Sequence, residues 1–222
     1  MLGSLPTLGC PPQARDDMPI FLAAGTNGAG KSSIIEAMML DAGGEYFNAD
    51  RLARELCEAN AELTLEQANV VVWDEMVRQL ELAIDVRGTF VFETTLGGST
   101  IRSHLERAIA LGIDVHVWYA GLESVDLHIA RVAARVASGG HPIEEVRIRD
   151  RFAKGPLNLL RLMPSLAYLK VVDNTADALK SDRIEPLVVL EMERSRIRYA
   201  LDLATAPLWA GPLLTLALAL DL

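Results

Sequence analysis

Residues 25–32 read Gly25-Thr26-Asn27-Gly28-Ala29-Gly30-Lys31-Ser32 and fit the pattern G-x-x-x-x-G-K-[ST]. Each residue type in that spacing has a physical task. The glycines let the backbone wrap, so that successive N–H groups converge on a β-phosphate, and a helix opening at the end of the loop adds partial positive charge. The Lys31 ammonium can reach the β- and γ-phosphates, and the Ser32 hydroxyl can ligate Mg²⁺. Together with Ser33, these residues are the expected nucleotide-binding set, with ATP favoured over GTP and Mg²⁺ as the accompanying ion.

Four further features bear on the fate of the γ-phosphate. Asp50 ends the apolar run Tyr46-Phe47-Asn48-Ala49-Asp50, a position that lies beyond a strand's carboxyl end in an open α/β sheet. A carboxylate there can accept the proton of an attacking hydroxyl; it can equally cap a helix over 51–58. Glu93 ends Phe90-Val91-Phe92-Glu93-Thr94-Thr95, where a carboxylate can hold an Mg²⁺-bound water or a substrate hydroxyl. Thr94 and Thr95 can bond the substrate or satisfy the turn. The segment 131–161 carries Arg131, Arg135, Arg147, Arg149, Arg151, Lys154 and Arg161 against Glu144, Glu145 and Asp150, seven cations against three carboxylates. On a helix, His128, Arg131 and Arg135 share one face, and Ile129, Val132 and Val136 form another. Such cations repel unless an anion sits among them, and the planar fork of arginine suits a phosphoryl group. Arg131, Arg135 and Arg151 are the expected clamp; Arg147 and Arg149 are read as surface partners of Glu144 and Glu145. Ser138-Gly139-Gly140-His141-Pro142 reads as the hinge of a mobile lid, with His141 as a turn residue outside the chemistry.

The elements that must position these groups alternate along the chain. Short apolar runs at Ile20–Ala24, Tyr46–Ala49, Thr89–Phe92, Val115–Tyr119, Tyr168–Val172 and Leu187–Leu190 read as strands. Helical periodicity covers about Lys31–Leu40, Leu65–Val86, Thr100–Leu111 with Ser99 or Thr100 as its cap, and a stretch through Val136. This is the pattern of an α/β fold with a mainly parallel sheet covered on both faces.

The chain has 222 residues, is 50% hydrophobic and carries a net charge of −9, which excludes bulk disorder and argues against nucleic acid or an anionic membrane as partner. Cys10 and Cys57 have no metal-ligand spacing, as expected of a cytoplasmic protein. Residues 1–18 read as an irregular lead-in with no signal peptide, 19–200 as one domain with its lid near 131–161, and 201–222 as an apolar tail, strand or short helix, docked on the chain's own core or on a second copy.

Taken together, Phe21 to Ser32, Asn48-Ala49-Asp50, Glu93-Thr94-Thr95-Leu96, Arg131-Val132, Arg135-Val136, Gly139-Gly140-His141, Arg151-Phe152 and Asp173-Asn174-Thr175 resemble the zeta-toxin-like branch of P-loop kinases, a group also described as predicted ABC-type ATPases. The resemblance implies a P-loop, nucleotide-kinase-like three-layer fold with a sheet of five or six strands and a helical arginine lid. In the toxins of that group, ATP phosphorylates a sugar hydroxyl of UDP-N-acetylglucosamine. By resemblance Asp50 is the base, Glu93 a substrate or metal-site carboxylate, and the lid arginines the γ-phosphate clamp. It also implies an antitoxin partner. Asp173 and Asn174 would lie near the nucleotide. Gly97 and Asp150 depart from the group, where Ser and Arg are frequent.

Two other classes fit parts of the pattern. A transporter-type ATPase would use Ser138-Gly139-Gly140-His141 as its signature, but no apolar run ending in Asp-Glu follows soon after. A nucleotide-dependent switch acting on a protein partner would need the loop but not the carboxylate at Asp50.

Overall fold

The computed structural model describes residues 18–35, 46–176 and 185–221. Six strands form one sheet: β1 (Ile20–Ala24), β2 (Phe90–Thr94), β3 (Val115–Gly121), β4 (Tyr168–Asp173), β5 (Leu187–Glu193) and β6 (Arg196–Ala200), in the order β2-β1-β3-β4-β5-β6. The first four run parallel, and β5 and β6 are antiparallel additions at one edge. Every residue of β3 and β4 is buried, as expected of parallel strands sandwiched between helices. The carboxyl ends of β1 to β4 share one rim, with Ala24 in register with Thr94 and Tyr119, and Gly121 with Asp173.

Helix α1 starts at residue 31, directly after the glycine-rich loop. Beyond it lie α2 (Ala49–Ala59), α3 (Leu65–Val86), α4 (Ser99–Ala110), α5 (Val125–Ala137), α6 (Glu145–Leu162) and α7 (Gly211–Leu220). α3 shows how local sequence fixes one of them. Thr64 and Gln67 form a reciprocal capping box, Ala68, Val72, Met76, Leu80, Ala83 and Ile84 make its buried stripe, and Arg87 ends it in the left-handed region at φ 54°. The main core lies on this face of the sheet and takes in residues of α3, α4, α6 and α7; Ile34 and Ile35 of α1 belong to two smaller clusters that hold the outward-facing residues of β1 to β4.

Several expectations are corrected. Tyr46–Ala49 is not a strand: only Phe47 bridges, to Phe92, and Asn48 turns the chain into α2 by accepting the Arg51 N–H at 2.9 Å. The cap of α4 is Gly98, so Ser99 and Thr100 already lie inside the helix. β6 was not foreseen, because Arg196-Ile197-Arg198-Tyr199 is an edge strand whose charges keep its outer rim wet. The helix expected to continue to Leu40, the lead-in to residue 17 and Cys10 fall partly or wholly outside the described residues.

The apolar tail is helical. Leu213, Leu214 and Ala217 of α7 are fully buried in the main core, while Leu218 remains half exposed. Removing a buried leucine side chain costs about 2–5 kcal/mol. Leu213→Ala is therefore expected to lower the urea midpoint by that equivalent, and Leu218→Ala by less than about 0.5–1 kcal/mol. Equal, small effects would show that α7 does not contribute to the domain's core.

Candidate active site

The loop after β1 is fitted to its surroundings by backbone geometry. Gly25, Gly28 and Gly30 all have positive φ, at 139°, 83° and 90°. A side chain at Gly25 would collide with the Ala120 carbonyl, and one at Gly30 with the Asn174 amide, so glycine is required twice over at these positions. Thr26 and Ala29 are buried, and Asn27 is half-buried. Lys31 donates to the Thr26 carbonyl at 3.5 Å. Loss of water holds its ammonium below the usual lysine range, an effect opposed by Glu93 and Asp50 and reinforced by Arg151 and Arg135. Ser33 lies exposed in the first turn of α1.

Two helices grip the loop at one residue. His128 of α5 donates from Nδ1 to the Asn27 carbonyl at 2.9 Å, and Arg151 of α6 donates to Asn27 Oδ1 at 2.7 Å. Burial drives the His128 pKa down to about 4, so the ring is neutral and Nδ1 carries the proton toward the carbonyl. Arg131 packs over Gly28, and its guanidinium lies beside Gly30. From the opposite side, Asn174 donates to the Ala29 carbonyl at 3.0 Å. Its neighbour Asp173 faces away from the loop and accepts from Trp209 Nε1 at 2.6 Å and from the Thr175 N–H at 3.0 Å.

Glu93 and Asp50 lie close enough to Lys31 to act on its charge. Ser32 Oγ donates to Glu93 Oε2 at 3.1 Å. Among the described residues no cluster of three or more His, Cys, Asp or Glu side chains could hold a metal. Mg²⁺ does not need one, since it keeps most of its waters and takes one or two protein oxygens with the phosphates of its nucleotide. The Ser32 and Glu93 oxygens fit that requirement. Asp50 sits in the first turn of α2, after the Asn48 cap, and its Oδ2 lies 3.5 Å from Arg135 Nη1. The capping alternative for Asp50 is thus taken by Asn48.

The turn after Glu93 is under strain. Leu96 is fully buried at φ 52°, a conformation unfavourable for a leucine, and its N–H bonds to Thr94 Oγ1 at 3.1 Å. Thr94, expected at a substrate, is buried and uses its hydroxyl within this turn; Thr95 is half-buried beside it. Asn158 of α6 holds the same turn, donating to the carbonyls of Leu96 at 2.8 Å and Gly98 at 3.1 Å. Gly97 packs directly on Arg151, so the glycine that departs from the family pattern makes room for the arginine.

The arginines fall into two groups: Arg131 and Arg151 lie against the loop and Arg135 against Asp50, whereas Arg147 pairs with Glu144 at 2.7 Å and Arg149 with Glu145 at 2.7 Å on the surface. The segment expected to be a mobile lid is in part core: Ile148, Gly155, Asn158, Leu159 and Leu162 of α6 are buried. The periodicity missed His128, Asn158 and Trp209. Asn158 has a signal, a lone polar residue on an apolar helical face, whereas His128 shares the face of Arg131 and Arg135 and nothing in the sequence marks its contact with Asn27.

These elements define a P-loop kinase-like α/β fold. The AvrRxo1-ORF1:AvrRxo1-ORF2 crystal structure with sulphate ions superposes at a TM-score of 0.60 and 14% identity over 82% of this chain, and the corresponding structure with ATP at 0.58 and 16%. This chain spans 60% of the length of that protein. A structure from the PezAT chromosomal toxin-antitoxin system of Streptococcus pneumoniae superposes at 0.50 and 14% identity, over 72% of this chain and 69% of that one. No protein-family model matches the chain. It belongs to the same family as an uncharacterized protein of Haemophilus influenzae (strain ATCC 51907 / DSM 11121 / KW20 / Rd), 32% identical over 128 residues, which cover 58% of this chain and 88% of that protein. Among the described residues no helix is long and apolar enough to cross a membrane.

The buried histidines make stability pH-dependent. His116 and His128 both have folded pKa values lowered to about 4 from 6.5, chiefly by loss of water. The unfolded chain therefore takes up protons first; the stability is complete above pH 6.5 and declines as pH falls toward 4, by up to about 3 kcal/mol per histidine. His116 stacks among Phe21, Trp118 and Tyr168, so His116→Phe is expected to remove about half of this acid-side loss in urea titrations. An unchanged pH slope in that variant would contradict the assignment.

Proposed function

We infer that this protein is an ATP-dependent small-molecule kinase that moves the γ-phosphate to a hydroxyl of a nucleotide sugar, with UDP-N-acetylglucosamine as the first acceptor to test. The observation that supports this most is the placement of Asp50: a carboxylate close to Lys31, beside Arg135, and not needed as a helix cap. A protein that only binds nucleotide has no use for such a base. The resemblance of the motifs to zeta-toxin-like kinases, and the fold shared with a structure from the PezAT chromosomal toxin-antitoxin system, support the same reading and suggest a small inhibitory protein as partner.

In this mechanism the N–H groups of residues 26–32 and the α1 N-terminus hold the β-phosphate, and Lys31 bridges to the γ-phosphate. Ser32 and Glu93 would hold Mg²⁺, which would supply charge neutralisation for the phosphates. Asp50 accepts the proton as the acceptor hydroxyl attacks, and Thr95 and Glu93 orient that acceptor. Arg131, Arg135 and Arg151 offset the charge that spreads over the transferring phosphoryl group. The two helices closed over Asn27 limit water at the site, which keeps transfer ahead of hydrolysis.

Asp50→Asn keeps size and shape but removes the base. It is expected to lower phosphoryl transfer by about 100-fold or more while leaving the KM for ATP within about threefold. Retained transfer in Asp50→Asn would overturn the assignment of the base. If the activity is toxic, expression of the wild-type chain should arrest bacterial growth and Lys31→Ala should relieve the arrest.

A further inference from the structure

His141 belongs to the site. We propose that it is a positioning residue for Asp50, acting together with Arg135, so that each oxygen of the carboxylate faces a group from the end of α5 or the connection that follows it. His141 Nε2 lies 3.7 Å from Asp50 Oδ1, and Arg135 Nη1 lies 3.5 Å from Asp50 Oδ2. The two holders are joined to each other, because Arg135 Nη2 donates to the His141 carbonyl at 3.3 Å. The inference rests on the kinase reading above and adds to it a residue that the sequence assigns only to a turn.

The preceding glycines explain how the imidazole gets there. α5 ends at Ser138, and Gly139 follows in the left-handed region at φ 92°. The Gly140 N–H then returns to the Arg135 carbonyl at 2.9 Å, which folds the chain back over the last turn of the helix. A side chain at Gly140 would stand 2.8 Å from Arg135 Cγ and 2.9 Å from its carbonyl oxygen, so only glycine allows this approach. The next residue is thereby delivered over Asp50 with its side chain only 17% exposed, although it sits in a connection between two helices. A residue that served only to turn the chain would have no reason to be enclosed against a half-exposed carboxylate.

The consequence for the reaction is orientation. A carboxylate at the start of a helix can rotate freely about its Cβ–Cγ bond, and only one of its oxygens can meet the acceptor proton in line with the phosphorus. Arg135 on one oxygen and the His141 imidazole beside the other restrict that rotation. Other cations near Asp50 are Lys31 on the loop, Arg151 on α6, and Arg54 of α2, whose Nε donates to the Asp50 backbone carbonyl at 3.2 Å.

The test uses the full chain with ATP, Mg²⁺ and UDP-N-acetylglucosamine. His141→Ala is expected to lower kcat about tenfold with the KM for ATP changed by less than about twofold, and His141→Gln, which keeps an N–H donor, to recover most of the rate. An unchanged kcat in His141→Ala would overturn the proposal, as would a parallel loss of ATP affinity, the mark of a merely structural role. A second arm does not depend on the acceptor. The histidine ring resonance that disappears in His141→Gln should move when Asp50 is changed to Asn in an otherwise wild-type chain. A resonance that stays in place overturns the contact; one that moves in a chain without transfer supports the contact and assigns the failure to the kinase reading.

Discussion

Asn27 is the point at which the phosphate loop, α5 and α6 become one object. Its carbonyl accepts a hydrogen bond from a neutral, buried histidine, and its side-chain oxygen accepts another from Arg151. Both partners are cationic residue types made compatible with burial in different ways: His128 by losing its charge, and Arg151 by pairing with an amide oxygen in a site that also holds Asp50. With the loop tied to both helices, Arg131 and Arg135 on α5 and Arg151 on α6 are set at fixed places around it. A phosphate clamp built on free loops would have to order these arginines each time a nucleotide bound, at a cost in side-chain entropy for each. Here much of that order is already present.

The same grip extends to the turn after β2. α6 carries Arg151 toward the phosphate loop and, two turns on, Asn158 toward the strained turn at Leu96. Gly97 and Gly155 allow this helix to lie against that turn, Gly155 with its backbone close to the Thr95 carbonyl and the Tyr119 hydroxyl. The cost of a leucine in the left-handed region is offset by its full burial and by two side-chain bonds from Asn158. The glycine-rich loop and the turn at Leu96 are therefore connected through one helix. A change at either end of α6 acts on both.

Much of this was legible in the chain. The loop motif fixed its own surroundings, because a strand before it and a helix after it are the only context in which its glycines and lysine make sense. β1 and α3 fall where periodicity put them, and the separation of Arg131, Arg135 and Arg151 from Arg147 and Arg149 follows from which arginines have a carboxylate one helical turn away. What stayed hidden depends on tertiary approach. Tyr46–Phe47 looks like a strand, because an apolar pair packing on β2 through a single bridge has the same composition as a strand that pairs fully. His141 follows two glycines and precedes a proline, so its local sequence says turn; its enclosure over Asp50 is visible only when α2 and α5 are placed side by side. The tail's alternating leucines are consistent with a strand, and burial of Leu213, Leu214 and Ala217 against the core decides for a helix.

The central claim is that the carboxylate near Lys31 turns nucleotide binding into transfer to a hydroxyl. Its most direct measurement is the stoichiometry of one reaction, ADP formed against phosphorylated acceptor formed, followed by mass spectrometry with UDP-N-acetylglucosamine and with a pool of cellular nucleotide sugars. The account predicts one phosphorylated acceptor, heavier by a single phosphoryl group, for each ADP. ADP accompanied only by inorganic phosphate, whatever acceptor is supplied, would contradict it.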